Sequence, residues 1–302
     1  MKLLVTGGTT FVSRYTAEYF AQRGNSVFVL NRGSRPQPQG VEAIIADKTD
    51  LGDCLHGMVF DAVLDVTAYT AGHVRALLDS GVRFGQYLLI SSSAVYTDTG
   101  VPAFTEDMPC GNNSVWGIYG QNKWAAEQLL HSRVPDAYIL RPPYLYGKYN
   151  NLYREAFVFE CAAADRAFCL PRDGSMRLQF FHVKDLCRLM EKLLTQQPAG
   201  RVYNVGNREA VSIREWVRHC YQTAGKEPRF VSVYEDIPQR DYFCFYDYEY
   251  YLDVSRMEKL LPETLSLEEG LKDSYEWWKK YPETITNWKP YTGNIDKKLQ
   301  RD

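Results

Sequence analysis

Two rhythms of apolar residues alternate through the first 140 positions. Short unbroken runs of Val, Leu and Ile predict strands at 2–6, 26–31, 42–46, 62–66, 87–91 and 137–141. Between them, apolar positions recur every three or four residues and predict helices at 11–23, 50–56, 70–80 and 116–132. Runs with no polar face suit strands covered on both sides, and repeated strand–helix units imply a parallel, doubly wound sheet with right-handed crossovers. Past residue 148 the regularity fades. Helices are predicted at 152–165, 185–194, 212–224 and 267–281, and strands at 178–183, 201–205 and 230–233. A dense aromatic stretch covers 242–251, and the tail from 285 is polar and aromatic without periodicity. Ser212, with Glu215 three residues on, reads as a helix start. The expected class is α/β, with a dinucleotide-type sheet domain at 1–150 plus about 176–205. A smaller C-terminal α/β region at 151–175 and 206–284 would bind substrate, followed by the tail at 285–302.

Ligands of such sheets sit beyond the carboxyl ends of the strands, so the strand ends carry the candidate chemistry. The first strand runs into Thr6-Gly7-Gly8-Thr9-Thr10-Phe11-Val12-Ser13. A T-G-x-x-G-x-x-G loop wants glycine at 7, 10 and 13; here Thr10 and Ser13 take two of those places. Gly7 can adopt backbone angles closed to other residues, and a helix start offers free N–H groups to an anion. The loop reads as a pyrophosphate cradle or as a plain strand–helix turn. The second strand ends at Asn31-Arg32-Gly33-Ser34-Arg35. No acid is present for the ribose 2′-hydroxyl of NAD, and the two arginines favour the 2′-phosphate of NADP. Asp47, after the third strand, could accept from the adenine amine; equally, Thr49 or Asp50 beside it could simply cap the next helix. Thr67 and Ala68, after the fourth, are small enough to let a cofactor lie flat. The fifth strand ends in Ser91, Ser92 and Ser93, where a substrate would sit. Tyr119 and Lys123 then share one face of a predicted helix. An ammonium beside a phenol lowers its pKa, and such a tyrosine can exchange a proton with an alcohol or carbonyl oxygen.

Composition narrows the classes. The 302 residues are 45% apolar and 24% charged, with a net charge of -2, which gives no sign of a nucleic-acid-binding stripe. No stretch approaches the roughly 18–20 apolar residues of a membrane span. The first five residues lead straight into the loop, so no signal peptide is expected. Seven scattered cysteines without C-x-x-C or Cys/His ligand spacing predict reduced thiols, a cytoplasmic protein and no metal site. Asn150, Asn151, Arg154, Arg177, Gln179 and Arg240 are candidates to hold a diphosphate or sugar, or else surface charges and caps. His182 reads as a hydrogen-bonded core residue at a strand–helix corner.

The loop at Thr6–Ser13, the S-S-S-A-V-Y strand end, Tyr119-x-x-x-Lys123, Arg141-Pro142-Pro143-Tyr144-Leu145-Tyr146-Gly147 and Phe181-His182-Val183-Lys184-Asp185-Leu186 occur in a telling order. Together they resemble the extended short-chain dehydrogenase/reductase superfamily, in its NAD-dependent epimerase/dehydratase group, over roughly residues 1–280. The resemblance implies a Rossmann-type domain and transient hydride transfer on a nucleotide sugar. It makes Tyr119 the acid/base, Ser92 its partner (Ser93 as fallback), and Lys123 the residue that binds the nicotinamide ribose and tunes Tyr119. Gly7, Thr10 and Phe11 would lie along the pyrophosphate. Asn31, Arg32, Asp47, Thr67 and Ala68 would surround the adenosine, and Pro142 and Tyr144 would approach the nicotinamide. Ser93, Asn151, Arg177 and Arg240 are the candidates for substrate, and a homodimer would form through 70–80 and 116–132. Ser93-Ala94 stands where water-eliminating members carry an Asp-Glu pair, which argues against that dehydratase chemistry. The loop and the Asn31-Arg32-Gly33 turn are similar to an atypical branch that includes chloroplast proteins that bind RNA. The alternatives are therefore a non-catalytic cofactor- or RNA-binding protein, or a reductase of a small carbonyl compound.

Overall fold

The computed structural model describes residues 1–98 and 102–299; the last three residues of the expected tail lie outside this range. Seven parallel strands form the central sheet: β1 (Lys2–Thr6), β2 (Ser26–Asn31), β3 (Val41–Ile45), β4 (Val59–Asp65), β5 (Arg83–Ile90), β6 (Tyr138–Arg141) and, much later in the chain, Val202–Asn204. Their spatial order is Val202–Asn204, β6, β5, β4, β1, β2, β3. The chain thus winds outward one way from β1 and then returns to wind the other way from β4. The switch between β1 and β4 opens the crevice in which such sheets bind ligands.

Alternation along the strands builds two core layers. Leu3, Val5, Ala62, Leu64, Leu88 and Ile90 face one side, with Ala17 and Phe20 of α1 (Phe11–Ala21). Leu4, Val63, Tyr87 and Leu89 face the other, with Val74 and Leu77 of α2 (Ala71–Asp79) and Ala126 and Leu130 of α3 (Gly117–Arg133). Both faces are dry, which is why these strands read as unbroken apolar runs. No described helix is long and apolar enough to cross a membrane.

The helix expected at 50–56 is instead a chain of turns. Leu51 and Leu55 are buried as their spacing suggests, but Gly52 and Gly57 take φ of +48° and +72°, which a right-handed helix does not accommodate.

The second half is a set of small pieces on the same core. They are β7 (Tyr144–Tyr146), α4 (Glu155–Ala163), β8 (Phe168–Pro171), β9 (Arg177–Leu178), β10 (Phe180–His182), α5 (Val183–Gln196), then β11, the sheet strand Val202–Asn204, β12 (Val211–Ser212), α6 (Ile213–Thr223), β13 (Phe230–Val233), α7 (Ser255–Glu258), α8 (Leu267–Lys280) and α9 (Tyr291–Lys298). The strand expected at 178–183 is broken at Gln179. Its buried amide donates to Asn207 O and accepts from Leu252 N, so β9 pairs antiparallel with β12 while β10 pairs parallel with β7. Ser212 and Glu215 do form a capping box on α6. The aromatic stretch 242–251 packs Phe243, Phe245 and Tyr250 against Tyr144, Trp116 and Trp216. The tail is not irregular: α9 buries Tyr291 and Ile295.

Candidate functional site

The loop after β1 needs both of its glycines. Gly7 and Gly8 each sit at φ +90°; a Cβ on Gly7 would lie 2.7 Å from Thr67 Cγ2, and one on Gly8 2.5 Å from Val29 Cγ1. Thr10 then caps α1 without a side-chain bond, which leaves its hydroxyl and the first helical N–H groups for a ligand. Ser13, in the place of a third glycine, is buried and folds its hydroxyl back onto Thr10 O at 2.9 Å. Across the crevice a buried knot sets the loop after β4. Thr6 Oγ1 donates to Asp65 Oδ1 (2.7 Å) and accepts from the N–H groups of Val66 and Thr67, both at 3.0 Å. Asp65 also accepts from Ala68 N and from the Tyr87 hydroxyl.

Two cavities meet over this crevice, sharing Thr10, Thr67 and Tyr69 as walls. One, of about 500 Å³, lies over the ends of β1–β3 and is lined by Gly7, Asn31, Arg32, Arg35, Asp47 and Lys48 among others. The other, of about 450 Å³, reaches Phe11, Ser92, Tyr119, Lys123, Pro142 and Arg154. An elongated ligand with a phosphate centre and two ring-bearing ends fits this pair. Asn31 Nδ2 donates to Gly7 O at 2.8 Å and so ties the two loops together. Thr49 N–H and Oγ donate to Asp47, holding its carboxyl below its ordinary pKa.

The chemistry-bearing end is set by Gly120. A Cβ there would collide with the Ala94 carbonyl oxygen, so only glycine lets α3 lie against the 3₁₀ turn Ser93–Val95. That approach sets Tyr119 beside Ser92 on the wall of one cavity, where the Ser92 hydroxyl favours the phenolate. Gly120→Ala is expected to force α3 outward at a cost of about 1–3 kcal/mol and to weaken the Ser92–Tyr119 contact. Urea denaturation together with turnover would check it, and unchanged values in both would show the contact to be loose. Tyr119 is 41% exposed as a residue, yet desolvation raises its phenol above the ordinary pKa, an effect opposed by the Ser92 hydroxyl and by Arg154.

Lys123 is engaged away from the Tyr119 phenol. Its buried ammonium donates to Ala68 O at 2.8 Å and Ile90 O at 2.9 Å, and it lies 4.8 Å from the Tyr69 ring centre. Burial pulls its pKa down to about 8 against the attraction of Asp65 and Glu127. Lys48 mirrors it, donating to Thr67 O and lying 4.5 Å from the centre of the same Tyr69 ring. Sequence spacing singles out neither Lys48 nor Tyr69, although both stand in the strand-end segments Asp47–Asp50 and Asp65–Tyr69.

Gly7, Thr10, Phe11, Asn31, Arg32, Asp47, Thr67, Ser92, Tyr119, Lys123, Pro142 and Asn151 all line one cavity or both, and Arg154 joins them. Five candidates stand elsewhere. Ala68 is buried and presents only its carbonyl, to Lys123. Ser93 turns inward to the Tyr250 hydroxyl at 3.1 Å. Tyr144 is buried because β7 alternates: Leu145 faces the cavity, while Tyr144 packs 4.5 Å from Phe245 between ring centres. Arg177 bonds the Tyr251 hydroxyl at 2.7 Å and pairs with Glu249 at the surface. Arg240 donates to Phe243 O and covers the Tyr246 ring. Asn150 and Gln179 are also internal, bonded to Glu155 and to Leu252. His182 is the expected corner residue: it is buried, caps α5 through Nδ1, and stands 3.2 Å from Asp273 through Nε2.

The family described as the NAD dependent epimerase/dehydratase family matches residues 3–206. The chain is 27% identical over 300 residues to the chloroplast stem-loop binding protein of 41 kDa b from Arabidopsis thaliana, covering 91% of this chain and 78% of the relative. It is 25% identical over 274 residues to a dTDP-glucose 4,6-dehydratase of Streptomyces griseus, covering 86% of this chain and 80% of that one. Among solved structures, MoeE5 in complex with UDP-glucuronic acid and NAD superposes with a TM-score of 0.74 at 22% identity, over 93% of this chain and 99% of MoeE5.

Proposed function

The chain belongs to the NAD dependent epimerase/dehydratase family, and from that premise we propose that it is an NAD-dependent enzyme that acts on a nucleotide sugar with Tyr119 as its acid/base. The observation that carries this reading is that Ser92, Tyr119 and Lys123 line one cavity, which continues into the glycine loop before α1. The paired cavities fit a dinucleotide: the start of α1 would hold the pyrophosphate, Asn31 and Arg32 the adenosine side, and Lys123 the nicotinamide ribose. The bound nicotinamide supplies hydride acceptance and return. Ser92 and Tyr119 would grip the sugar oxygen whose proton moves, Tyr119 taking or returning that proton while Ser92 holds the oxygen in line.

We place NAD, rather than the NADP expected from the arginines, in the cofactor's role. Arg32 and the carboxylate of Asp47 line the same adenosine-side cavity, and that negative charge works against a 2′-phosphate there. MoeE5, with the same fold, holds NAD. Calorimetry is expected to give an NAD affinity about tenfold or more above that for NADP, roughly the effect of one uncompensated phosphate contact. The reverse order, abolished by Arg32→Ala, would restore the NADP reading.

The reading as a whole is tested by incubating the protein with NAD and either UDP-glucose or UDP-glucuronate and following the sugar by NMR. The chloroplast relative is named for stem-loop binding, so the same preparation is titrated with a stem-loop RNA. RNA binding without NAD binding would sink the enzymatic reading; a net charge of -2 weighs against that outcome.

A further inference from the structure

The tail enters the site. Every other residue lining the Ser92–Tyr119 cavity comes from positions 10–154, but Asn287 reaches the same space from the segment before α9. This segment is pinned at both ends. Thr286 N donates to Asn151 O at 3.1 Å, and Asn151 Nδ2 donates to Thr286 Oγ1 at 2.9 Å. Beyond it, α9 is docked through Tyr291, stacked on Tyr153 with ring centres 5.7 Å apart, and through buried Ile295. Asn294 Nδ2 donates to Asp241 O, Lys298 pairs with Asp241 and Arg166 with Asp296. Residues 285–290 therefore cross the 151–154 loop as a strap that sets Asn287 at the edge of the cavity.

The chemistry of that edge is selective. Arg154 and Asn287 contribute a guanidinium and an amide, Asn151 being tied to Thr286, and among the described residues no carboxylate lines the cavity. Asn287 is exposed and its amide has no hydrogen-bond partner among the described residues, and Arg154 makes no salt bridge there, its guanidinium lying 4.9 Å from the Tyr144 ring centre. Donors outnumber acceptors, which suits an oxygen-rich, anionic ligand. We propose that the C-terminal strap completes the substrate end of the cavity and that Asn287 is a specificity residue that hydrogen-bonds the sugar of an anionic glycosyl nucleotide beside Arg154. This rests on the reading of the cavity as the site of an NAD-dependent sugar-nucleotide enzyme.

The test measures two ligands separately. By calorimetry, Asn287→Ala is expected to keep NAD affinity within about twofold and to bind UDP-glucuronate about tenfold more weakly in the presence of NAD, the effect of one lost substrate hydrogen bond. Asn287→Gln should recover part of the loss. Unchanged UDP-glucuronate affinity in Asn287→Ala, with wild-type NAD binding, overturns the inference and leaves the enzymatic reading standing. Wild-type protein that binds no NAD overturns both. Where NAD binds and UDP-glucuronate does not, the anionic sugar nucleotide is the wrong class. Acrylamide quenching of bound NADH then decides the strap: a Thr286→Gly, Asn287→Gly, Trp288→Gly variant, which keeps α9, should raise the quenching constant about twofold or more as ordered chain is lost over the cavity. Equal constants would overturn it.

Discussion

Tyr119→Phe is expected to lower turnover of the sugar nucleotide by about 10²–10⁴-fold, the range that a positioned acid/base contributes, with NAD affinity unchanged. The substitution removes one hydroxyl and keeps the ring that lines the cavity, so binding has little reason to change. The pH profile carries the mechanistic content. Burial raises the phenol's pKa, so at neutral pH the group is protonated and its base form scarce. For the direction in which Tyr119 removes a proton, kcat/KM should therefore climb as pH rises through 7 and beyond. The Ser92 hydroxyl and Arg154 both favour the phenolate. Ser92→Ala should therefore displace the rise to higher pH as well as lower the rate, and Arg154→Leu should displace it in the same direction. A Tyr119→Phe protein that still turns over, or a Ser92→Ala profile that rises at the wild-type pH, would dismantle this arrangement.

The sheet was legible because its central strands are buried on both sides. β1 and β2 begin and end where the apolar runs do. The strand ends then locate the crevice, and ten residues of the cofactor-side set lie on its walls. What failed was information that spacing does not carry. Positions 119 and 123 share a helical face, but nothing in that spacing shows that the Lys123 ammonium is taken by the carbonyls of Ala68 and Ile90, 55 and 33 residues away. Tyr144 follows two prolines, and the register of β7 then decides which side chain enters the cavity; it is Leu145.

The substrate side was less legible for a related reason. An arginine with a partner and one without look alike in sequence. Glu249 and Tyr251 occupy Arg177, whereas Arg154 is left facing the site. Asn287 had no signal at all, because its place depends on α9, whose buried positions Tyr291 and Ile295 make a single i,i+4 pair amid polar residues. The misread helix at 50–56 is the opposite case: a helical spacing of Leu51 and Leu55 was present, and two glycines with positive φ overrode it.

Beneath the site lies the interaction whose loss should cost the fold most. Glu127, one turn beyond Lys123 on α3, accepts from Arg141 Nη2 at 2.7 Å and from its Nε at 3.1 and 3.2 Å; both side chains are at most 4% exposed. Ser91 at the end of β5 also bonds Glu127, and Arg141 Nη1 donates to the Tyr96 hydroxyl and Glu106 O. The pair thus clamps α3, which carries Tyr119 and Lys123, onto the strand ends that carry Ser91 and Pro142. Glu127→Ala would leave the guanidinium buried without its countercharge, and urea denaturation is expected to show a loss of about 3–5 kcal/mol. The cost comes chiefly from the stranded charge, not from the lost attraction. A Glu127→Met, Arg141→Met double variant should therefore recover much of the stability that the single variant loses. It should not recover full activity, because two flexible apolar side chains cannot reproduce the bonds to Ser91 and Tyr96 that fix the register of α3 against β5. A double variant as unstable as the single one would mean that the clamp stabilises by attraction after all. One that is both stable and fully active would mean that the register of Tyr119 is set elsewhere, with Gly120 against Ala94 as the remaining contact able to do it.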